Sequence, residues 1–85
     1  MKNYIIHTDG TIEPIVLRNP KEISLEEMQK AVGGYIERVG TYLDCSVWAN
    51  EEGLLKGLPL NVRGSELCYR PIVGDVLVVE EKLVK

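Results

Sequence analysis

Ile23-Ser24-Leu25-Glu26-Glu27-Met28-Gln29-Lys30-Ala31-Val32-Gly33-Gly34 is the stretch on which the fold turns. Ser24 followed three residues later by Glu27 forms a capping box, in which the Ser24 hydroxyl accepts from the Glu27 amide and the Glu27 carboxylate takes the Ser24 amide. Ile23, just outside the cap, is placed to staple onto Met28. Leu25, Met28 and Val32 recur at helical spacing and make one apolar stripe. Gly33-Gly34 ends the run, because the residue past a helix commonly turns left-handed, where glycine has no Cβ to clash. The spacing predicts a helix from Leu25 to Val32 whose stripe covers a sheet.

Outward from this helix the chain reads as strands. Residues 2–8 and 11–17 are apolar runs around Asp9-Gly10, a dipeptide that favours a two-residue type I′ hairpin loop. That loop would put Tyr4, Ile6, Glu13, Ile15 and Leu17 on one face and Ile5, His7, Ile12 and Val16 on the other. Both faces are apolar enough to be core. Pro14 lacks a ladder donor and belongs on an edge strand or at a bulge.

Beyond the helix, residues 35–43 and 45–50 read as two strands joined by a tight turn, and the glycines and charges of residues 51–57 leave the sheet. Residues 58–68 suit a second short helix opening at Pro59, with Gly64 a cost of about 1 kcal/mol relative to alanine. Val76-Leu77-Val78-Val79 is a continuous apolar run typical of an interior strand covered on both faces. Residues 80–85 read as a solvated end. The expected architecture is a single α+β domain over residues 1–85: a mainly antiparallel sheet of about five strands with one or two helices on one face.

Composition narrows the function classes. An 85-residue chain holds one core, and 45% hydrophobic with 27% charged residues excludes both disorder and a membrane span. Ten Lys and Arg against 13 Asp and Glu give a charge of −3 with the basic residues scattered. A nucleic-acid binder masses its basic side chains to displace counterions, so that class is set aside. Three excess acids are also too few for a DNA mimic. Cys45 and Cys68 have no CxxC spacing and read as free, buried thiols. The first residues lack the apolar length of a secretory signal, so a cytoplasmic location is expected.

Six pieces occur in order: Asp9-Gly10-Thr11, Leu25 to Gln29, Val32-Gly33-Gly34-Tyr35-Ile36-Glu37, Trp48-Ala49-Asn50-Glu51-Glu52-Gly53, Gly57-Leu58-Pro59-Leu60-Asn61 and Gly74-Asp75-Val76. The ordered VGGYIE, NEEG, GLPxN and GD pattern resembles a family of small proteins of unknown function found in bacteriophages, other mobile elements and bacteria. The resemblance spans nearly the whole chain. It implies a stand-alone accessory protein and assigns no activity, cofactor or catalytic residue.

The residues with chemistry to offer are few. Asn50, Glu51 and Glu52 end a strand with an amide and two carboxylates that could meet a ligand hydroxyl or a cation. Asn61 suits a loop or cap amide. Glu37 and Arg38 alternate across a strand, with Glu37 the acid that faces out or toward a ligand. Tyr35 and Trp48 are core candidates that also suit an interface, including one between two copies of the chain. His7, the only histidine, reads as a polar hairpin end, and Ser24, Ser46 and Ser65 lie in no nucleophile frame. One histidine and two distant cysteines do not make a zinc site. No cofactor and no metal are expected.

The favoured function is a non-enzymatic binding protein that inhibits a host protein or sequesters a small polar ligand through Asn50, Glu51, Glu52, Asn61, Glu37, Tyr35 and Trp48. Two alternatives stand beside it. One is a divalent-cation-dependent hydrolase using Glu51, Glu52 or Asp75, and the other is a structural oligomerisation module, with a homodimer as the simplest form.

Overall fold

The computed structural model describes residues 2–85. Its strands are β1 (Tyr4–Ile6), β2 (Ile12–Pro14), β3 (Ile36–Tyr42), β4 (Cys45–Asn50) and β5 (Val76–Glu80), with helices α1 (Leu25–Val32) and α2 (Val62–Cys68) and a short 3-10 turn at Glu81–Leu83. The five strands form one sheet in the order β2-β1-β5-β4-β3. Every neighbouring pair is antiparallel. The α+β fold class read from the sequence is the one observed.

β5 lies between β1 and β4, and Val76 to Val79 are fully buried. Alternation along it divides the core in two. Val76 and Val78 join Ile6, Val39, Val47 and Ile72 on one face, while Leu77 and Val79 join Ile5, Ile23, Met28, Val32 and Leu83 on the other. This explains why both hairpin faces are apolar, since adjacent Ile5 and Ile6 are buried on opposite sides.

α1 keeps its expected bounds, and both bonds of the Ser24–Glu27 capping box are present. Ile23 and Met28 are buried in the same cluster, as the staple requires. Leu25, in the first turn, is 58% exposed, so the buried stripe is Ile23, Met28 and Val32. Gly33 closes the helix with φ +78°.

α2 and the last six residues correct three expectations. α2 begins at Val62, because the Asn61 side chain accepts from the Gly64 amide and so fixes the cap two residues beyond Pro59. It also packs on the sheet face opposite α1, through Leu67 and Cys68, so the two helices do not share one side. Gly64 is what allows the approach: a Cβ there would meet Val76 Cγ1 at 3.2 Å. Finally, residues 80–85 are only partly a solvated end, because Glu80 completes β5, Leu83 is buried and its carbonyl accepts from the Ile23 amide at 2.9 Å.

The hairpin corrects a register. His7 N donates to Thr11 O at 2.8 Å and Gly10 N to His7 O at 2.9 Å, so Thr8, Asp9 and Gly10 form a three-residue loop. Gly10 has φ +90° and Asp9 is not in the left-handed region, whereas a type I′ turn needs both central residues there. The longer loop shifts the pairing to Ile5↔Glu13 and Ile6↔Ile12. Glu13, Ile15 and Leu17 therefore lie on the side of Ile5 and His7, not with Tyr4 and Ile6. Pro14 sits on the edge strand β2, where its missing donor is harmless.

Candidate functional site

The corrected register brings Glu13 diagonally against His7. β1 pairs on its other side with β5 through Ile6↔Val76, which sets Asp75 beside the same histidine. His7 Nδ1 lies 2.8 Å from Asp75 Oδ2, and His7 Nε2 lies 2.8 Å from Glu13 Oε1. The other Asp75 oxygen accepts from the Thr8 amide at 3.0 Å. These bonds to Glu13 and Asp75 push the imidazole pKa above its ordinary value. As an imidazolium the ring donates from both nitrogens. In that form both ring nitrogens are occupied as donors, one to each carboxylate.

The three side chains stand at the head of a groove of about 730 Å³ between α1 and the segment Pro14–Arg18. Ile5, Ile15, Leu17 and Ala31 form its apolar lining. At the far end Arg18 pairs with Glu26 at 3.0 Å and donates its amide to Glu27 at 3.1 Å. Amides of Ser24 and Arg18, then the Ser24 hydroxyl, hold the Glu27 carboxyl below its usual pKa range. Lys30 lines both the groove and a neighbouring hollow of about 230 Å³ that also reaches Asp75. Lys30 has no ion-pair partner among the described residues.

A second hollow, about 620 Å³, is lined by the β3–β4 turn at Leu43 and Asp44 and by Glu80 to Lys82. Its charges are already matched, with Arg38 on Glu81 at 2.7 Å, Lys82 on Glu80 at 3.4 Å and Lys2 on Asp44 at 2.9 Å. Little polar capacity is left there for a ligand, and the groove beside α1 is the better site.

The residues singled out from the sequence fall in two places. Asn50, Glu51, Glu52, Tyr35 and Glu37 gather where β3 begins and β4 ends, with the Glu51 amide donating to Tyr35 O at 2.8 Å. Asn50 is buried there as a clamp: its Nδ2 donates to the last carbonyl of α1, Val32 O, and its Oδ1 accepts from the Glu52 amide. Glu52 lies 3.7 Å from Lys56, while Glu37 and Glu51 point to solvent. Trp48 packs in the α1-side core, donates to Ser46 Oγ at 2.8 Å and carries Arg38 over its ring at 5.2 Å. Asn61 is apart from these and 1% exposed, bonded to Ile6 O, Gly74 O and the Gly64 amide.

Among the described residues no three His, Cys, Asp or Glu side chains are placed to hold a metal ion. Glu51, Glu52 and Asp75 thus do not converge on a cation. Sequence reasoning missed the His7, Glu13 and Asp75 cluster. Its one signal was Gly10, which can serve equally as the left-handed residue of a three-residue loop.

No helix among the described residues is long and apolar enough to cross a membrane. No curated protein and no solved structure matches the chain. The model of DUF3846, a domain of unknown function, matches residues 1–83, and with nearly its whole length covered the chain belongs to that family.

Proposed function

We propose that the protein is a non-enzymatic binding protein, an accessory protein of mobile-element type, that sequesters a small polar ligand in the groove between α1 and Pro14–Arg18. The observation that supports this reading is the pairing of an apolar lining with a histidine ring whose two nitrogens each lie 2.8 Å from a carboxylate. Such a site has the few oriented polar groups and apolar walls of a ligand pocket. Native mass spectrometry of gently purified protein tests it. A mass above an integer multiple of the chain is the expected result, and a bare mass from every preparation overturns it. The same spectrum reads the oligomeric state, where a homodimer is expected if Tyr35 and the β3 edge are self-contacts.

A second reading, capture of a host protein, is favoured by a different observation. Leu54 and Leu55 are 84% and 88% exposed on the turn that follows Glu51 and Glu52, with Tyr35 63% exposed close by. Adjacent exposed leucines on a turn held by its own backbone bonds suit insertion into an apolar pocket of a partner. On this reading Leu54→Ser abolishes host-protein capture and leaves groove binding intact.

A further inference from the structure

We infer that the Nε2–H of His7 is an anion-binding point, that its ligand is a carboxylate with a short aliphatic body, and that Glu13 occupies this point as an internal stand-in when the ligand is absent. The inference rests on the groove reading above and names its ligand class.

The two carboxylates on His7 are not equivalent. Asp75 is 35% exposed, uses both oxygens, and is fixed by the pairing of β1 with β5. It sets the ring's orientation and aims Nε2 at the groove. Glu13 is 60% exposed on a three-residue edge strand, and its side chain bonds only to Nε2 among the described residues. A solvent-exposed ion pair adds little to stability, so exchanging Glu13 for another carboxylate replaces like with like at small cost. Glu13 then moves into water, where its charge is screened.

The surroundings select the ligand. Lys30, unpaired among the described residues, lines the same groove and adds a second positive charge near the head. At the other end Arg18 offsets only one of the two charges of Glu26 and Glu27, and the negative charge that remains turns a carboxylate toward His7. Behind it Ile5, Ile15 and Leu17 offer aliphatic surface, and each methylene buried there strengthens binding about fourfold.

The test titrates sodium butanoate and sodium hexanoate into the protein and follows the imidazole proton resonances. His7 is the only histidine, so these signals are unambiguous. Hexanoate is expected to bind more tightly than butanoate, and Glu13→Gln to tighten hexanoate about two- to fivefold by removing the competitor. His7→Gln is expected to abolish the preference for hexanoate over hexanol. An affinity unchanged by Glu13→Gln overturns the inference, and that variant alone decides the matter if His7→Gln does not fold. Equal binding of hexanol and hexanoate to the wild type overturns the anion point while leaving the groove reading in place. Failure of the groove reading itself would show separately, as a bare mass in the native spectrum.

Discussion

The side-chain amide of Asn61 donates to the carbonyl of Ile6 at 2.9 Å, a bond between residues 55 positions apart. The same nitrogen donates to Gly74 O at 2.9 Å, and Oδ1 accepts from the Gly64 amide at 2.8 Å. One buried amide therefore joins β1, the turn before β5 and the start of α2. Asn61→Ala strips partners from two carbonyls and an amide that water does not reach. The expected loss is about 2–5 kcal/mol, against a total stability of about 4–13 kcal/mol for a chain of this size. Urea unfolding measures it, and a loss below about 1 kcal/mol would contradict this role.

His7 predicts the alkaline side of the pH profile. Its folded pKa is raised by Glu13 and Asp75. Its contribution is then complete below the unfolded value of about 6.5 and is lost as pH rises through the folded one. The urea midpoint is expected to fall across that window in the wild type. In His7→Gln the fall should be absent, and a variant profile that still tracks the wild type would refute the assignment.

Ser24 governs the acid side of α1. Backbone amides of Ser24 and Arg18, with the Ser24 hydroxyl, hold the Glu27 carboxyl below its usual range, so its contribution is present above the unfolded pKa and disappears as pH falls through the folded one. Ser24→Ala removes the cap and should cost about 0.5–2 kcal/mol at neutral pH. Thermal unfolding at pH 7 and at pH 3 checks both statements, with the smaller difference between variants expected at the lower pH.

Tyr69 caps α2 with φ +56° and is 95% exposed, so its side chain stabilises nothing that offsets the left-handed backbone. Tyr69→Gly is expected to raise stability by about 0.5–1 kcal/mol, the relief of backbone strain less the greater freedom of glycine in the unfolded chain. Tyr69→Ala, which keeps the strain, should not. Equal effects from the two would argue against a backbone origin.

Burial raises the thiol pKa of Cys45, helped by the neighbouring Asp44 charge, and burial does the same for Cys68. Both thiols are free. An aromatic disulfide reagent at pH 7 is expected to label them slowly in the native protein and rapidly in denaturant. Cys45 is buried whereas Cys68, expected to be so, is only half-buried, and fast native labelling of Cys45 would contradict its burial.

The parts legible in the sequence were those decided by neighbours along the chain. Ser24, Glu27 and Gly33 carry their own geometry, so α1 was read to the residue. The apolar run at residues 76–79 declared an interior strand because no polar side chain interrupts it. The site was harder to read, because it depends on one residue of loop length and on a pairing between residues 68 apart. Asp9-Gly10 is compatible with two loops that differ by one residue, and that difference moves Glu13 to the other face of the sheet. The side chosen by α2 was likewise open, since Leu67 and Cys68 can pack on either apolar surface. Asn50 looks like a ligand group in one dimension and becomes a backbone clamp once Val32 O is in reach, while Asn61 takes the cap role that its residue type suggested.

β5, made after every other strand, sits at the middle of the sheet. Before it emerges during synthesis, β1–β2 and β3–β4 are two hairpins with no shared partner, and isolated hairpins are at best marginal in water. The sheet thus assembles only around its final strand, with pairings between distant residues that favour slow closure over stepwise growth. A chain arrested on the ribosome before Val76 leaves both hairpins open along the edges that β5 would have joined, within reach of chaperones and proteases.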